Sequence, residues 1–164
     1  MTSYRRTRSA ILEGTKKLIA SVGLQRTNMI DIADISEVSR ATLYNHFRDK
    51  GSVLRAVLES EIERLFLVVD SEMSPRDALQ TISLEISTDQ ALATMRQSDA
   101  GALAQLLVQR DDALWIQVDT ALEKLLGDKH VATIARLWLV GQALQPLTAE
   151  QIGEQIDAIV SLSL

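Results

Sequence analysis

Residues that are typical of helix ends recur along the whole chain, and every stretch between them has helical spacing. In chain order they are Gly23, Thr27, Ser39, Ser74 with Pro75, Thr88 with Asp89, Ser98 with Asp99, Asp111 with Asp112, Gly127 with Asp128, and Thr148 with Gln151. Ser, Thr and Asp start helices because a side-chain oxygen accepts a hydrogen bond from a free backbone N–H, whereas glycine ends them because it tolerates a positive φ. The chain is therefore predicted to be all-α, with about ten helices and no persuasive strand.

The first third of the chain has the spacing of a helix-turn-helix unit. A helix is predicted from Arg5 to Val22, a short one from a cap at Thr27 to Ile35, and a third after a cap at Ser39. Residues 36–38 make a brief break between the two short helices. A supporting helix, a short helix, a tight turn and a second short helix form the layout that places the last helix in the major groove of DNA.

A fourth helix is predicted from near Lys50 to about Met73, with an apolar stripe that contains one acid, Glu61. We expect this helix to join two parts directly, because no flexible linker is evident. The parts are a helix-turn-helix DNA-binding domain at residues 1–50 and a helical ligand-binding and dimerisation domain at residues 51–164.

Charge is divided unequally along the chain, whose net charge is −5. Residues 1–55 hold ten Lys and Arg against five Asp and Glu, whereas residues 56–164 hold seven against seventeen. A basic head on an acidic protein indicates an anionic partner for the head. The alternative, from charge alone, is that these are ordinary solvated helix faces.

The third helix separates into a buried face and an exposed face. At 100° per residue, Leu43 and Phe47 point together into the support, and the opposite side carries residues suited to base edges. Arg bonds guanine as a fork, Asn bonds adenine, and a small Ala fits a thymine methyl. These are Arg40, Ala41 and Asn45, with Tyr44 and Arg48 on the same side. Thr42, Tyr44, His46 and Lys50 carry donors suited to phosphate oxygens.

The stretch "GLQRTNMIDIADISEVSRATLYNHFRDK" resembles the N-terminal signature of the TetR family of bacterial transcriptional repressors, and the "TLYNHF" block followed by Lys50 is its most specific part. The resemblance covers about residues 8 to 60. It implies an all-α homodimer that holds DNA with the third helix and often binds a small molecule in its C-terminal helical domain. Its matching positions implicate Arg40, Ala41, Tyr44 and Asn45 in base reading, and Thr27, Thr42, Tyr44, His46 and Lys50 in phosphate contact. Together with Ser39 and with Arg5 and Arg6, expected ahead of the first helix along the backbone or in a minor groove, these are the predicted DNA-binding residues.

Two positions depart from the family pattern. Glu37 stands where the turn usually has glycine, so a glycine-type backbone there costs about 1 kcal/mol, or else the turn differs. Its carboxylate is also expected to repel DNA. Gly51 replaces the usual acid at the start of the fourth helix, which should weaken that helix end.

The second part carries candidate ligand and dimer residues. Apolar and aromatic side chains line most small-molecule sites, and the candidates here are Phe66, Met73, Met95, Trp115 and Trp138. Each of them can instead be a core residue. The last two helices, about residues 129–145 and 149–163, are apolar enough for a four-helix dimer bundle. The dimer candidates are Leu137, Val140, Leu144, Ile152, Ile156, Ile159 and Val160, with completion of the subunit's own core as the alternative.

Several classes of function are disfavoured. The chain has no cysteine and only two histidines, His46 and His130, so no metal site or cofactor is predicted. Acidic pairs such as Asp111 and Asp112 are explained by helix capping, so we do not expect an enzyme. Leu65–Val69 is the longest apolar run that could be a signal-peptide core or a membrane span. It is far shorter than the roughly 20 residues that cross a bilayer. A cytoplasmic protein without a membrane partner is expected.

The sequence thus favours a TetR-like homodimeric regulator, most often a repressor, that binds a pseudo-palindromic double-stranded DNA operator and is released by a small apolar or amphipathic effector. Two alternatives stay open. One is a DNA-binding regulator without a small-molecule ligand. The other is a helical interaction protein whose head no longer binds DNA.

Overall fold

The computed structural model describes residues 3–69, 72–108 and 113–162. Ten α-helices lie within these ranges, which contain no strand, and the all-α prediction is confirmed. The helices are α1 Ser3–Val22, α2 Met29–Ile35, α3 Arg40–His46, α4 Lys50–Leu67, α5 Pro75–Thr88, α6 Gln90–Ser98, α7 Ala100–Leu107, α8 Ala113–Leu126, α9 Lys129–Leu144 and α10 Ala149–Ser161. The predicted cap at Asp111 and Asp112 lies outside the described residues.

Local capping chemistry sets most of the helix boundaries. Ser39 and Ser74 accept hydrogen bonds from the first turns of α3 and α5, and Asp128 does the same for α9. Thr148 and Gln151 form the predicted capping box of α10. At Asp128, the hydrogen bonds from the backbone N–H groups of Val131 and His130 lower the pKa of the side chain, because they stabilise its ionised carboxylate.

Four predicted boundaries are wrong. The cap of α2 is Asn28 and not Thr27. Thr88 and Ser98 are the last residues of α5 and α6 rather than caps of the helices that follow. Helix α4 ends at Leu67, before Met73, where the N–H of Val69 reaches back only three residues, to the Phe66 carbonyl at 3.4 Å. Such tightening is common in a last helical turn.

The helices form two compact units. The first comprises residues 1–61 and 90–106, and the second comprises residues 62–89 and 107–164. Helix α6 and most of α7 thus belong in space with α1, α2, α3 and the first part of α4. The sequence division at residue 50 does not anticipate this grouping, since only long-range packing sets it.

The first unit has its own apolar core. Helices α1 to α4 supply Ile11, Leu12, Leu18, Ile32, Ala33, Leu43, Phe47, Val53 and Ala56 to one cluster. Helix α6 packs on α1, and the Thr94 hydroxyl donates to the Ala20 carbonyl at 2.8 Å. Glu61, the acid in the apolar stripe of α4, pairs with Lys16 at 2.6 Å, so the interruption serves an ion pair.

The second unit is built from α5, α8, α9 and α10. Helix α5 packs on α10 and α9, and α8 packs on α9. Salt bridges lie on its surface, from Arg76 to Asp157 at 2.7 Å and from Arg136 to Asp119 at 2.6 Å. Among the described residues, no helix has both the length and the apolar character of a membrane span.

Candidate nucleic-acid interface

Two side-chain caps fix the starts of the helix-turn-helix pair. Asn28 Oδ1 accepts hydrogen bonds from the backbone N–H groups of Ile30 and Asp31, both at 3.0 Å. Ser39 Oγ accepts from Thr42 N–H, also at 3.0 Å. Because a capped end cannot easily fray or shift by a residue, the caps fix which side chains of α3 face outward.

The turn between the helices has the backbone that glycine normally provides. The N–H of Glu37 bonds the Asp34 carbonyl at 3.2 Å, and the N–H of Val38 bonds the Ala33 carbonyl at 3.0 Å. These two bonds form a Schellman motif, which needs a left-handed residue at its fifth position. Glu37 occupies it with φ 54°, so the predicted glycine-type conformation is confirmed.

A glycine in α1 lets this turn come close to its support. A Cβ built at Gly14 overlaps the Ser36 hydroxyl oxygen and lies 3.3 Å from Ser36 Cα. Only glycine therefore allows the turn to pack at this depth. Sequence reasoning missed Gly14, because a glycine inside a helical pattern gives no indication of what it contacts.

The outer face of α3 carries the residues predicted to read bases. Arg40, Ala41, Tyr44 and Asn45 are exposed, and Tyr44 keeps 56% of its accessible surface. Leu43 and Phe47 are buried on the opposite side. The predicted division of this helix into an anchoring face and an accessible face is therefore confirmed.

The side chains of α3 that are predicted to donate to phosphate have different contacts in the structure. The Ser39 and Thr42 hydroxyls hydrogen-bond each other at 2.8 Å and remain near the helix start. The ring of His46 stacks on Tyr4 with centroids 4.2 Å apart, and its Nδ1 is buried without a partner among the described atoms. The Tyr4 ring from α1 thus holds His46 in place at the end of α3.

Two of the side chains predicted to contact phosphate form hydrogen bonds within the first unit instead. Thr27 is buried, and its hydroxyl donates to the Gly23 carbonyl at 2.8 Å, so its side chain is not available to DNA. Lys50 Nζ donates to the Leu24 carbonyl at 2.6 Å and is half-buried. The prediction for Thr27 is wrong, and Lys50 fastens the α1–α2 loop, residues 23–28.

The N-terminal arginines belong to a helix and not to an extended arm. Arg5 and Arg6 are exposed and lie in the first turns of α1, which begins at Ser3. Arg8 places its guanidinium 5.8 Å from the centre of the Phe47 ring. The described residues therefore do not include a flexible N-terminal arm that could enter a minor groove.

A buried acid holds the α1–α2 loop from a second side. Asp99, between α6 and α7, accepts hydrogen bonds from the backbone N–H groups of Leu24 at 2.7 Å and Gln25 at 3.2 Å. Desolvation acts to raise the pKa of Asp99, but the hydrogen bonds from Ser98, Leu24 and Gln25 and the charge of Lys50 lower it overall. Sequence reasoning assigned Asp99 to capping, because no local pattern reveals a partner about 75 residues away.

Comparisons with known proteins match both this head and the full length of the chain. The family model described as "Bacterial regulatory proteins, tetR family" matches residues 11–57. The HTH-type transcriptional repressor KstR2 of Mycobacterium tuberculosis is 27% identical over 180 residues, covering 93% of this chain and 90% of KstR2. The HTH-type transcriptional regulator TtgR of Pseudomonas putida is 35% identical over 54 residues, 33% of this chain and 26% of TtgR.

The head of the chain, residues 11–57, matches the TetR family. The chain is a DNA-binding transcriptional regulator with a helix-turn-helix head of the TetR type. Solved structures support the fold. A TetR transcriptional regulator from Rhodococcus sp. RHA1 aligns with a TM-score of 0.68 at 20% identity, over 99% of this chain and 98% of the other. Salmonella enterica GusR aligns with a TM-score of 0.69 at 19% identity, over 99% and 96%.

The five candidate effector residues do not share one unit. Met95 is buried in the first unit, where α6 packs on α1. Phe66, Met73, Trp115 and Trp138 belong to the second, where Trp115 is buried in the core of α8 and Phe66 and Met73 are half-buried. The indole N–H of Trp138 donates to Gln155 Oε1 at 2.6 Å. Sequence could not group them, because apolar residues of a core and of a pocket look alike.

The seven dimer candidates also divide. Ile152, Ile156 and Ile159 are 2%, 0% and 6% exposed, because α10 packs its isoleucine stripe on α5 and α9. The prediction that these three form a dimer surface is therefore wrong, and they belong to the subunit's own core. Val160 on α10 is half-buried.

Helix α9 presents the rest of the predicted dimer residues. Leu137 is 55% exposed, Leu144 is 37% exposed, and Val140 is half-buried. Ile134 on the same helix and Ile116 on α8 are 45% and 63% exposed. Helices α8 and α9 thus carry four of the large apolar side chains that are exposed among the described residues.

Proposed function

We propose that the chain is a homodimeric transcriptional repressor that binds a pseudo-palindromic operator through two α3 helices and is released by a small apolar or amphipathic effector. A protein with two-fold symmetry requires the same symmetry in its site. The relative KstR2 is named a repressor, which supports this sign of regulation. Operator binding also implies a cytoplasmic location.

One observation carries the DNA-binding part of the proposal. The exposed face of α3 presents Arg40, Ala41, Tyr44 and Asn45 while Leu43 and Phe47 anchor it from behind. An arginine, a small alkyl group and an amide on the exposed side of one helix match the donors, acceptors and methyl groups of the major groove. Ser39, Thr42 and His46 contribute phosphate contacts at the two ends of the helix.

The dimer part is supported by the apolar surface of α8 and α9. Ile116, Ile134, Leu137 and Leu144 are large apolar side chains with more than a third of their surface exposed. Gly141 lies in this stretch of α9, and a Cβ there meets nothing within 4 Å. Exposed apolar side chains on two packed helices suit a second copy of the chain in a four-helix bundle.

A regulator without a small-molecule ligand is the second candidate. The observation that favours it is the burial of Trp115 and the separation of Met95 from the other candidate ligand residues. Such a protein would respond to its own abundance or to a protein partner. The two candidates differ in their response to small molecules. If the chain has an effector, that ligand should raise the melting temperature, because it binds the folded state. It should also weaken operator binding, because it binds one conformation better than the other.

The test of DNA binding is a gel shift on the DNA upstream of the protein's own gene, with excess unrelated DNA, at two salt concentrations. A competitor-resistant shift that weakens with salt supports the proposal. If no shift occurs, a selection from random DNA decides between a distant operator and a head that does not bind. Failure of that selection with well-folded dimer overturns the DNA-binding proposal.

A further inference from the structure

The core of the second unit contains a buried polar pair. Gln142 of α9 is 1% exposed and Ser83 of α5 is fully buried, and both lie where α5, α9 and α10 pack their apolar faces. The Ser83 hydroxyl donates to Gln142 Oε1. A glutamine here removes polar atoms from water in a position where leucine or methionine has similar volume.

The pair leaves hydrogen-bonding capacity unused. Among the described residues, Gln142 Nε2 has no hydrogen-bond partner, and neither has the buried Oγ of Ser87, one helical turn after Ser83. Buried polar atoms are nearly always paired, because an unpaired one loses its water without compensation. Two of them on the facing helices α5 and α9 therefore indicate that something else supplies the missing bonds.

The unused capacity does not depend on how the glutamine amide is oriented. The oxygen and nitrogen of an amide exchange places when it is turned by 180°. In that case the Ser83 hydroxyl accepts from Nε2 and the amide oxygen is left without its partner. Either way, one atom of the Gln142 amide remains unpaired inside the unit.

We propose that Ser83, Ser87 and Gln142 form the polar end of the effector site, and that the site takes a small, uncharged, apolar alcohol. This inference rests on the proposed function, in which an effector binds the second unit. A hydroxyl both donates and accepts, so it pairs with the Gln142 amide in either orientation and with Ser87 Oγ. The three side chains are neutral and lie where α5 packs on α9, so an ionised ligand loses its hydration without gaining a counter-charge from them.

The first experiment is a thermal-shift titration of the full chain with cyclohexanol, cyclohexanone and cyclohexanecarboxylate, which share one ring and differ at the polar group. We expect cyclohexanol to raise the melting temperature most, cyclohexanone less, and the carboxylate not at all. Gln142→Met should abolish the cyclohexanol response, since it removes the amide with which the alcohol pairs.

The matched control is Gln117→Met, the same substitution at an exposed glutamine of the same unit. It should leave the cyclohexanol response unchanged. Ser87→Ala should weaken the response at least several-fold in the midpoint concentration. A structural role for Gln142, with an internal water as its partner, predicts instead that none of the three probes acts on the wild type. That result overturns the proposal, as does an equal response in the wild type and Gln142→Met.

Operator binding is measured on the same samples. Failure of the alcohol response with intact operator binding rejects this site and leaves the proposed DNA-binding function standing. Loss of operator binding in the wild type rejects the proposed function itself, whatever the probes do. At concentrations that stabilise the wild type, cyclohexanol should also weaken operator binding. In Gln142→Met, cyclohexanol should leave operator binding unchanged.

Discussion

The carboxylate of Asp99 accepts a hydrogen bond from the backbone N–H of Leu24 at 2.7 Å, although the two residues are 75 positions apart. Lys50 bonds the carbonyl of the same Leu24 at 2.6 Å. The loop before the helix-turn-helix pair is therefore held through both the backbone N–H and the backbone carbonyl of Leu24. Asp99 provides this contact from the corner of α6 and α7, so the head depends on a segment far along the chain.

Replacing Asp99 should destabilise the first unit. Asp99→Ala removes the acceptor of two backbone N–H groups, of which that of Leu24 is buried. An unpaired buried donor costs about 1–3 kcal/mol. The measurement is urea unfolding at neutral pH. Asp89→Ala, at another acid between two helices, is the comparison, and equal effects of the two substitutions would contradict a special role for Asp99.

The contribution of Asp99 should vanish in acid. Its pKa is lower in the folded chain than the ordinary value of 3.8, so its stabilisation is complete above that value. As pH falls through the lowered folded pKa, the folded state gains the proton and the stabilisation is lost. The difference in melting temperature between wild type and Asp99→Asn should therefore be constant from pH 7 to about pH 5 and shrink below pH 3.8. A difference that grows in acid would be inconsistent with this sign.

The turn between α2 and α3 should be relieved by glycine. Glu37→Gly removes a left-handed conformation at a residue with a Cβ and should raise the free energy of unfolding by about 1 kcal/mol. Glu37→Ala keeps the strain and removes only the carboxylate. We expect both variants to bind DNA more tightly at low salt and only the glycine variant to gain stability, as measured by gel shift and urea unfolding.

Gly14 should resist the substitution that normally favours a helix. Gly14→Ala places a methyl group against Ser36, and such overpacking costs about 1–3 kcal/mol. Gly101 in α7 is the matched control, because a Cβ there meets nothing within 4 Å. Gly101→Ala should stabilise the chain by about 0.5–1 kcal/mol, from helix propensity alone. A stabilising Gly14→Ala would contradict the close approach of the turn.

Arg40 should contribute to base discrimination. Arg40→Ala is expected to cost about 1–3 kcal/mol on the operator and to relax preference at one base pair. Lys129→Ala, which removes a positive charge from the start of α9, is the control and should leave operator affinity nearly unchanged. If Arg40→Ala weakens operator and random DNA equally, Arg40 contacts phosphate and does not read sequence.

Leu137 should contribute to the dimer. Leu137→Asp puts a charge on the exposed apolar surface of α9 and should shift the chain towards monomer on a sizing column at unchanged helicity. Ile156→Asp is the contrasting variant, because Ile156 is fully buried in the subunit and its change should unfold the second unit. An undiminished dimer in Leu137→Asp would move the interface to another surface.

Local signals predicted much of the helical layout. Ser39, Ser74, Asp128 and the Thr148–Gln151 pair each act within one turn of chain, so their roles could be inferred from spacing. The two faces of α3 followed from helical periodicity for the same reason. Asn28 and Thr27 are adjacent possible caps, and spacing alone could not choose between them.

Long-range contacts could not be predicted in this way. The partners of Asp99, Lys50 and Gly14 are set by how helices pack, which a periodic pattern does not specify. Ile156 was assigned to a dimer for a related reason, because an apolar stripe looks the same whether another helix of the subunit or a second copy covers it. Gln142 did give a signal, as a lone amide within an apolar stretch of α9.

The left-handed Glu37 has a consequence for how the regulator can evolve. Glutamate and glycine codons differ by one base at the second position, so a chain with an unstrained turn and no acid facing the operator is a single nucleotide change away. Under the proposed function, that change lengthens the residence time on DNA and makes release by an effector harder. The duration of repression can therefore be tuned at one codon, without altering any residue that reads the operator.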